Sequence, residues 1–347
     1  MKAAVVLMNL GGPLSREDVR PFLTNFFMDK NIIAVPYPLR WLIARYIAKT
    51  RSQGAAKTAY AALDYKSPLL ENTKAQATAL EAALHNKGIQ AKTFVSMRYW
   101  HPMAKKVVQD LEEYAPDKLI LLPLYPQFST TTTGSSFEDF WQEVQAADGK
   151  LHARWNDEMK VGSIGCYPLL DGFIQASADN IRTALAKAPA GSRVLFSAHG
   201  LPEKIIEGGD PYQMQCEKSA AAIAAAAGLQ DGAWEICYQS RVGPLKWIGP
   251  STEEALHKAA HDKVAGVIVY PHAFVSEHVE TLVEIEMEYR IKAGEMGIPY
   301  FDRVPTVSTH PLFIGGLADA VEATINGQPL PKICGNDFRR CGCKGKI

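Results

Sequence analysis

Residues Val194–Pro202 read VLFSAHGLP, a short apolar run that passes directly into small residues and a glycine. Such a run is typical of a buried parallel strand that ends in a tight turn. Residues Val6–Pro13 read VLMNLGGP and repeat the pattern near the start of the 347-residue chain. The recurrence indicates that one strand–turn unit is present twice.

Two further strand-end patterns recur in the same order. Ser96–Arg98 leads to Pro102 as Gln239–Arg241 leads to Pro244, and Leu121–Pro126 resembles Val267–Pro271. Short strand ends also resemble one another by chance, but the shared order favours an internal duplication. We therefore predict two α/β halves of similar topology, which meet near residues 150–190.

Apolar runs alternate with longer helical patterns, which is typical of parallel sheets with crossover helices. We predict strands at 3–9, 91–97, 117–123, 160–165, 192–198, 233–238, 264–270 and 299–302. We predict helices at 16–28, 69–86, 102–113, 134–147, 170–187, 211–227, 251–260, 277–293 and 309–325. The predicted fold class is α/β, with two similar doubly wound parallel-sheet halves at 1–160 and 161–325 and a cysteine-rich tail at 326–347. The active-site cleft is expected between the halves, beyond the carboxyl ends of the strands.

The composition limits the class of protein. Lys and Arg together number 37, as do Asp and Glu, and this balance argues against a nucleic-acid-binding protein, which normally has a basic excess. No stretch reaches the roughly 18 uncharged apolar residues of a membrane span. The chain starts with a strand-like run and not with a leader. We therefore expect a cytoplasmic protein whose six cysteines are reduced or bind metal.

His199 follows a predicted strand and precedes Gly200, which allows a ligand to approach the imidazole. A lone histidine at a strand end is more often structural than catalytic, so a catalytic interpretation needs a partner. Four carboxylates near another strand end provide one, since they share a face of the predicted helix: Glu277, Glu280, Glu284 and Glu288. An acidic face is often only solvated, but carboxylates at this spacing repel one another unless a cation or proton lies among them. The pattern favours proton removal together with passage of a divalent metal.

Other loops carry weaker signals. Asn9–Pro13 is glycine-rich but lacks the GxGxxG spacing of a nucleotide site, and Ser197–Gly200 lacks the GxSxG of a serine hydrolase. Thr130–Ser136 is rich in hydroxyl groups, which suit either a helix cap or the lining of a site.

Three of the six cysteines, Cys334, Cys341 and Cys343, lie in the tail among glycines and basic residues. Basic neighbours favour thiolates, and three thiolates with one interior cysteine satisfy a zinc ion or an iron–sulfur cluster. The spacing matches neither a zinc ribbon nor a plant-type ferredoxin. The residues thus favour a metal site over a reactive tail and do not identify the metal.

From Val5 to about Ala320 the chain resembles the ferrochelatases, which insert iron into a porphyrin to make haem. Several motifs in the family's order carry the resemblance: Met8–Pro13, Arg98–Pro102, Leu124–Ser129, Thr133–Ser136, Ser197–Pro202, Tyr238–Pro244, Trp247–Pro250 and Phe274–Leu282. The resemblance implies a lyase that inserts Fe²⁺ into protoporphyrin IX with release of two protons, the terminal step of haem biosynthesis.

The resemblance also implies roles for individual residues. His199 and Glu280 correspond to the pair that lines the porphyrin pocket and meets the substrate iron. An imidazole with a pKa of about 6.5 accepts protons at neutral pH, so His199 is the expected general base and Glu280 the metal or proton relay. In the family the two roles have been assigned both ways, and the sequence does not decide between them. Glu277, Glu284 and Glu288 extend the relay. The expected porphyrin contacts are Leu10, Arg98, Tyr99, Tyr125, Ser129 and Trp247.

Residues 26–48 include the segment Ile32–Ile43, which corresponds to the apolar lip of the family's pocket. Its aliphatic, aromatic and Arg side chains suit docking on a membrane surface, and an ordinary buried helix is the alternative. We expect location in the cytoplasm, peripheral on the inner membrane.

The tail resembles that of bacterial ferrochelatases which bind a 2Fe–2S cluster through three C-terminal cysteines and one interior cysteine. Cys334, Cys341 and Cys343 match their spacing. Cys166 is the expected interior ligand in preference to Cys216 and Cys237. The animal enzymes place theirs further along, where this chain has Ala176. A homodimer is the expectation for members with this tail.

Leu10 bears on the substrate, because the branch that uses coproporphyrin tends to have tyrosine there and lacks the cysteine tail. Both features favour protoporphyrin IX. The alternatives are a coproporphyrin III ferrochelatase, a cobalt chelatase for a cobalamin or sirohaem precursor, and a non-catalytic haem or porphyrin carrier or sensor. Cobalt chelatases lack the motif at Gln239–Pro244.

Overall fold

The computed structural model describes residues 2–147, 160–241, 245–328, 330–331, 333–335 and 338–341. The strands are β1 Ala3–Asn9, β2 Ala91–Met97, β3 Lys118–Pro123, β4 Lys160–Ser163, β5 Arg193–His199, β6 Trp234–Gln239, β7 Val267–Pro271 and β8 Phe301–Arg303. The α-helices are α1 Val19–Met28, α2 Tyr37–Gln53, α3 Ala55–Ala61, α4 Leu69–Asn86, α5 Ala104–Tyr114, α6 Ser135–Ala146, α7 Asp171–Leu185, α8 Glu203–Glu207, α9 Tyr212–Ala227, α10 Thr252–His261, α11 Arg290–Glu295 and α12 Pro311–Ile325. Two segments are π-helical, Thr130–Gly134 and Glu280–Tyr289.

The strands form two parallel four-stranded sheets of identical order, β2-β1-β3-β4 and β6-β5-β7-β8. The predicted α/β class with two similar halves is therefore confirmed. β1 and β5 occupy equivalent inner positions, which explains why Val6–Pro13 and Val194–Pro202 resemble each other in sequence. All seven residues of β1 are buried, as expected where helices cover both faces of a parallel sheet.

The alternation of side chains along β1 separates two cores. Val5 and Leu7 face a central layer of helices, α4, α7, α9 and α12, which packs between the two sheets. Val6 and Met8 face α5 and α6 on the outer side of the first sheet. The second sheet is covered on its outer side by α10 and by the π-helix Glu280–Tyr289. The π-helix is thus attached to the second sheet, close to the end of β7.

The central layer requires one close helix crossing. A Cβ atom at Gly172 of α7 would lie 2.2 Å from the carbonyl oxygen of Leu312 and 2.9 Å from the Cα of Gly316 in α12. Only glycine fits this contact between the helices. The crossing brings α12, which follows β8 in the chain, back against α4 and the first sheet.

Helices α1, α2 and α3 follow β1 and precede α4 in the chain. They form a separate apolar cluster. On α2 only Ala44 and Ala48 are buried. Its large apolar side chains are exposed, namely Tyr37, Leu39, Trp41, Leu42 and Tyr46. The buried-helix alternative for this lip is therefore wrong. None of the helices in the described ranges is long and apolar enough to cross a membrane.

The other predicted elements are present with small shifts at their ends, and two differences are larger. The predicted α-helix at 277–293 is a π-helix from Glu280 to Tyr289 that continues as α11. Helices α2, α3 and α8 were not predicted. α8 has five residues and no buried side chain, so hydrophobic periodicity carries no signal for it.

Candidate active site

His199 is the last residue of β5, and its orientation is fixed by two contacts. Nδ1 lies 2.7 Å from the carbonyl oxygen of Gly200. A carbonyl only accepts hydrogen bonds, so Nδ1 carries the proton and Nε2 keeps its lone pair in the neutral ring. The backbone carbonyl of His199 accepts a hydrogen bond from the hydroxyl of Tyr212 at 3.0 Å. Nε2 faces Glu280, whose Oε1 lies 3.8 Å away.

The turn after His199 leaves no room for a side chain. A Cβ atom at Gly200 would lie 2.9 Å from the carbonyl oxygen of Gln239 and 3.2 Å from the indole ring of Trp247. This packing places Trp247, a predicted porphyrin contact, beside the histidine. The indole nitrogen of Trp247 is buried and has no hydrogen-bond partner among the described residues.

Glu280 begins the π-helix, in which hydrogen bonds span five residues in place of four. Its backbone N–H donates to Nδ1 of His278 at 3.1 Å. Burial raises the pKa of the Glu280 carboxyl, His199 opposes this effect, and Glu284 adds to it. Burial also lowers the pKa of His278 to about 4, so this second imidazole is neutral at pH 7. The raised pKa makes Glu280 a better proton acceptor than an exposed carboxylate.

The next two carboxylates of the predicted relay are the half-buried Glu284 and the exposed Glu288. Glu284 accepts hydrogen bonds from the backbone N–H of Ser240 at 3.0 Å, from its hydroxyl at 2.6 Å and from the Tyr289 hydroxyl at 3.0 Å. Ser240 adopts a left-handed backbone conformation with φ of 66° to make these contacts. Glu288 is exposed. Glu280, Glu284 and Glu288 thus form a row that leads from His199 to the surface.

Glu277 has a different environment from the row. Its carboxylate pairs with Arg303 at 3.0 Å and accepts hydrogen bonds from Thr306 N–H at 2.9 Å and from the Thr281 hydroxyl at 2.5 Å. Burial alone would raise the pKa of Glu277, but Arg303 and these hydrogen bonds lower it. Glu277, a predicted relay residue, is therefore held in an ion pair with Arg303.

On the N-terminal half, Asp29 is the centre of a buried cluster that includes two predicted porphyrin contacts. It accepts hydrogen bonds from Tyr99 at 2.7 Å, from Arg98 at 3.1 Å and from Ser135. Burial raises the pKa of Asp29, but the charge of Arg98 and the hydrogen bonds outweigh it, so that the pKa is lowered. Tyr99 has no exposed surface and its hydroxyl is bound to Asp29, so its contact with porphyrin stays a prediction. Arg98 keeps 19% of its side chain exposed and also pairs with Asp139 at 3.2 Å.

Leu10 packs in the apolar cluster of the lip together with Val279, the residue before Glu280. Tyr60 of the same cluster is buried, and burial followed by the charge of Glu280 raises its pKa. The lip therefore lies against the start of the π-helix. This arrangement places the His199–Glu280 pair next to an apolar wall.

Tyr125 and Ser129, the remaining predicted porphyrin contacts, lie in the loop after β3. Ser129 is buried and donates to Asp210 at 3.1 Å, and Asp210 also accepts from the backbone N–H of Thr130 at 2.7 Å. Burial raises the pKa of Tyr125, while Ser136 and Arg98 oppose this. Ser129 thus contributes a contact between the halves, and Tyr125 lies near the Arg98 side of the cleft.

A second cluster of predicted residues surrounds Gln215 on α9. Its amide nitrogen lies 3.4 Å from Sγ of Cys166 and 3.1 Å from Sγ of Cys334. A hydrogen bond with Cys341, followed by burial, raises the pKa of Cys334. Three of the four predicted cluster ligands are therefore near one another, and Cys343 lies outside the described residues.

The thiols of Cys166 and Cys334 and the buried amide of Gln215 thus meet at one place in the fold. Cys237 is buried elsewhere, with its thiol 3.7 Å from the Phe196 carbonyl oxygen. Within the described ranges no three His, Cys, Asp or Glu side chains stand in an arrangement that could hold a metal ion. The described residues therefore bring three of the predicted cysteines near one another without showing a metal site.

Sequence reasoning missed Asp29, Tyr212, Gln215 and Arg303. Each acts through a contact between residues far apart in the chain, and none belongs to a local pattern. Ser240 was inside a quoted motif, but its bond to Glu284 depends on the pairing of β5 with β6 and β7.

Comparison with known proteins gives a consistent result. Residues 2–325 match the family model described as Ferrochelatase. The ferrochelatase of Caulobacter vibrioides is 48% identical over 354 residues, which cover 99% of this chain and 98% of that protein. The ferrochelatase of Phenylobacterium zucineum is 45% identical over 352 residues, with coverage of 99% and 98%.

Among solved structures, one described as SirB from Bacillus subtilis with Fe³⁺ matches with a TM-score of 0.51 at 12% identity. The match covers 94% of this chain and 98% of that chain. A sirohydrochlorin chelatase SirB from the subspecies spizizenii, in complex with cobalt, has a TM-score of 0.50 at 12% identity. At this identity the likeness shows the fold alone, which is chelatase-like.

Proposed function

The chain belongs to the ferrochelatase family, and on that premise we propose which porphyrin it metallates and which of its residues carry the reaction. It is an enzyme of haem synthesis that inserts iron into a porphyrin, a ferro-lyase. The reaction replaces two pyrrole protons by Fe²⁺, so the site must accept two protons and admit one cation.

His199 is the proposed general base. Its Nδ1 is protonated toward Gly200, which leaves the lone pair of Nε2 to take a pyrrole proton. The resulting imidazolium lies 3.8 Å from the Glu280 carboxylate, which stabilises the positive charge. This pairing is the single observation that carries the assignment.

Glu280 is the proposed relay for the proton or for iron, and Glu284 and Glu288 extend the relay to solvent. A carboxyl with a raised pKa takes the proton from His199 and frees the base for the second pyrrole. The hydrogen bonds from Ser240 and Tyr289 hold Glu284 at a fixed position in the row. Glu277 is neutralised by Arg303 and serves in this proposal as an anchor of the helix start.

Protoporphyrin IX is the proposed substrate, because Leu10 adds an apolar side chain to the wall where the coproporphyrin branch tends to have tyrosine. The first experiment is anaerobic incubation of the protein with Fe²⁺ and protoporphyrin IX, followed by the porphyrin-to-haem absorbance change, with coproporphyrin III in parallel. We expect many turnovers with protoporphyrin IX and fewer with coproporphyrin III. Faster turnover of coproporphyrin III would reverse the substrate assignment, and binding without turnover would favour a carrier or sensor.

We further propose that Cys166, Cys334, Cys341 and Cys343 hold a 2Fe–2S cluster. The convergence of three of these thiols near Gln215 supports the proposal. When bound, the cluster supplies a one-electron redox centre. Cys166→Ser should abolish the visible absorbance of the cluster, whereas Cys237→Ser, which changes a thiol buried elsewhere, should leave it intact. An unchanged spectrum in Cys166→Ser would redirect the choice of interior ligand.

We also propose a location in the cytoplasm, peripheral on the inner membrane, and the exposed face of α2 supports the membrane contact. Its aromatic and aliphatic side chains lie on the same helix as Arg40, Arg45 and Lys49, a composition typical of helices that lie in a bilayer surface. The proposed homodimer rests on the resemblance of the tail. Sedimentation equilibrium of the full chain tests the homodimer, because a monomer mass at micromolar concentration would contradict it.

A further inference from the structure

A pocket of about 230 Å³ lies at the surface beside the start of α1, the end of α2 and α3. Its charged lining residues are Arg16, Arg20 and Lys57, while Glu17 and Asp18, the nearest carboxylates in the chain, do not line it. All three basic residues are exposed, and none forms an ion pair within the part of the chain that the structure describes. Three unpaired cations around one pocket create a positive potential that attracts anions.

The side chain of Tyr65 orients one of these cations. The Arg16 guanidinium lies over the Tyr65 ring, with Cζ 5.7 Å from the ring centroid. The Tyr65 backbone N–H donates to the Tyr60 carbonyl oxygen at 2.7 Å, which ties the ring to α3. A guanidinium stacked on a ring keeps the N–H donors in its own plane free, and these donors match two oxygen atoms of an oxyanion. The pocket therefore suits an oxyanion such as a phosphate group.

The pocket lies at the carboxyl end of the exposed apolar face of α2. Leu42, Tyr46, Lys49 and Gln53 recur at helical spacing, so they share one face of the helix. Leu42 and Tyr46 are exposed, and Gln53 lines the pocket. An oxyanion in the pocket is therefore next to the surface that covers the apolar face.

The charges around this face are complementary to an anionic lipid surface. The chain as a whole is balanced, with 37 basic and 37 acidic residues. Residues 31–63 contain no Asp or Glu and five basic residues, namely Arg40, Arg45, Lys49, Arg51 and Lys57. A bilayer has an apolar interior below a layer of phosphate groups, which matches an apolar helix face beside a local basic excess.

We propose that Arg16, Arg20 and Lys57 bind the phosphate headgroup of an anionic lipid. The inference rests on the membrane contact proposed above and adds a specific site to it. The three side chains donate charge-assisted hydrogen bonds to the phosphate oxygens, and the apolar side chains of α2 enter the lipid beside the headgroup. Because the pocket marks one end of α2, a bound headgroup fixes the orientation of the lip on the bilayer.

The test compares Arg16→Gln combined with Arg20→Gln and, as the control, Lys187→Gln combined with Lys218→Gln. Both double variants lose two positive charges, and Lys187 and Lys218 are exposed residues of the C-terminal half. Co-sedimentation of the full-length protein with phosphatidylglycerol-containing vesicles measures binding at constant ionic strength. We expect the pocket variant to bind at least about tenfold more weakly than the wild type, and the control to stay within about twofold of it.

Arg16→Lys combined with Arg20→Lys separates a specific site from diffuse attraction. This variant keeps both charges but loses the planar donors, so we expect binding at least about threefold weaker than that of the wild type. Binding equal to the wild type in this variant or in the Gln variant would overturn the inference. If Trp41→Ser combined with Leu42→Ser still loses binding, the membrane contact stands without the site, whereas a wild-type protein that binds no vesicles would overturn both.

Inorganic phosphate distinguishes the lipid headgroup from a free anion. It is added to the wild-type protein with and without vesicles, at constant ionic strength, and its own binding is measured by isothermal titration calorimetry. We expect it to bind weakly and to compete with the vesicles, since both place a phosphate group in the same pocket. Phosphate that binds in the pocket without weakening vesicle binding would assign the site to a free anion and overturn the inference.

Discussion

His199 combines an exposed ring nitrogen with a rigid support. Gly200 accepts from one side of the ring, and Tyr212 holds the backbone carbonyl. An imidazole held in this way points Nε2 toward Glu280 before substrate arrives, which is the preorganisation that base catalysis requires. Burial lowers the pKa of the neighbouring His278 to about 4, so this imidazole is neutral at pH 7 and adds no competing positive charge.

Replacement of the base tests this arrangement. His199→Ala should lower the rate of iron insertion by at least about 100-fold, because the pyrrole protons lose their acceptor. Porphyrin binding, followed by fluorescence quenching, should change little, since the pocket walls remain. His85→Ala on the exposed side of α4 is the control. A rate of iron insertion by His199→Ala close to that of the wild type would contradict the assignment of His199 as the base.

His272 predicts how stability depends on pH. It is fully buried, its Nε2 lies 2.9 Å from the Cys216 carbonyl oxygen, and burial lowers its pKa to about 4. In the unfolded chain the pKa is about 6.5, so the unfolded state binds more protons between these values. The free energy of unfolding should therefore fall as the pH drops from about 6.5 to about 4, by an amount on the order of 3 kcal/mol for this residue.

His272→Gln places an amide donor near the Cys216 carbonyl oxygen and does not titrate. Urea unfolding midpoints at about pH 7 and about pH 5 should differ less in this variant than in the wild type. His261→Gln is the control, since the side chain of His261 is 91% exposed. Equal pH dependence in wild type and His272→Gln would contradict the buried neutral state.

The π-helical type of Glu280–Tyr289 could not be predicted from the sequence. A helix with carboxylates on one face could be predicted near 277–293, because apolar and acidic positions recur at helical spacing. No residue preference distinguishes the wider π turn. Its start is fixed by contacts between elements, which include Arg303 on Glu277 and Ser240 on Glu284. π-Helical segments occur frequently at functional sites, which agrees with this location.

The lip could be predicted as an apolar segment, but its exposure could not. Periodicity identifies an apolar helix equally well whether or not another element covers it. In α2 the exposed side chains include Tyr37 at 64% and Tyr46 at 70%. Only the packing of α1 and α3 against the opposite side of α2 decides which face remains uncovered.

The exposed face of α2 is expected to bind an anionic lipid surface. Trp41→Ser combined with Leu42→Ser should weaken binding to phosphatidylglycerol-containing vesicles by at least about tenfold, because each buried apolar side chain contributes about 1.5–3 kcal/mol. Co-sedimentation with vesicles measures the binding. Ile291→Ser on α11 is the control, since Ile291 is 62% exposed on another surface. Unchanged binding in the double variant would contradict the membrane role of the lip.

In the whole molecule, the two halves are held together by buried polar contacts as well as by the central helices. Gln76 of α4 is fully buried and donates to the carbonyl oxygens of Val275 at 2.9 Å and Ser308 at 3.0 Å. It accepts from the Ser276 hydroxyl at 2.8 Å. An N-terminal helix therefore supports the segment that precedes Glu280, so the position of the carboxylate row depends on both halves.

Gln76→Leu should lower the free energy of unfolding by about 3 kcal/mol, because it leaves buried carbonyl and hydroxyl groups without a partner. Iron insertion should fall as well, since the segment before Glu280 loses its support. Urea unfolding and the haem assay measure the two effects. Gln175→Leu is the control, because the Gln175 amide donates to Asp171 of its own helix. A variant as stable as the wild type would show that these contacts do not hold the halves.

The duplicated sheet order could be predicted because strand-end motifs recur in the same sequence order. The set of helices in the central layer could not be predicted, because α12 follows β8 in the chain and yet packs on α4, α7 and the first sheet. This arrangement depends on the close crossing of α7 and α12 at Gly172 and Gly316. No local sequence pattern predicts that crossing. Likewise, the tail cysteines indicated a metal site, but their meeting with Cys166 at Gln215 depends on the folded positions of α9 and the tail.

Because the lip lies next to Glu280, the relevant substrate concentration is the amount of porphyrin in the lipid and not the amount in the whole solution. If α2 rests on a bilayer, as proposed, an apolar porphyrin would reach the cleft by diffusion in two dimensions, and haem would leave by the same route. The rate then follows the number of porphyrin molecules per area of lipid. Dilution of the whole suspension at a constant porphyrin-to-lipid ratio leaves it unchanged.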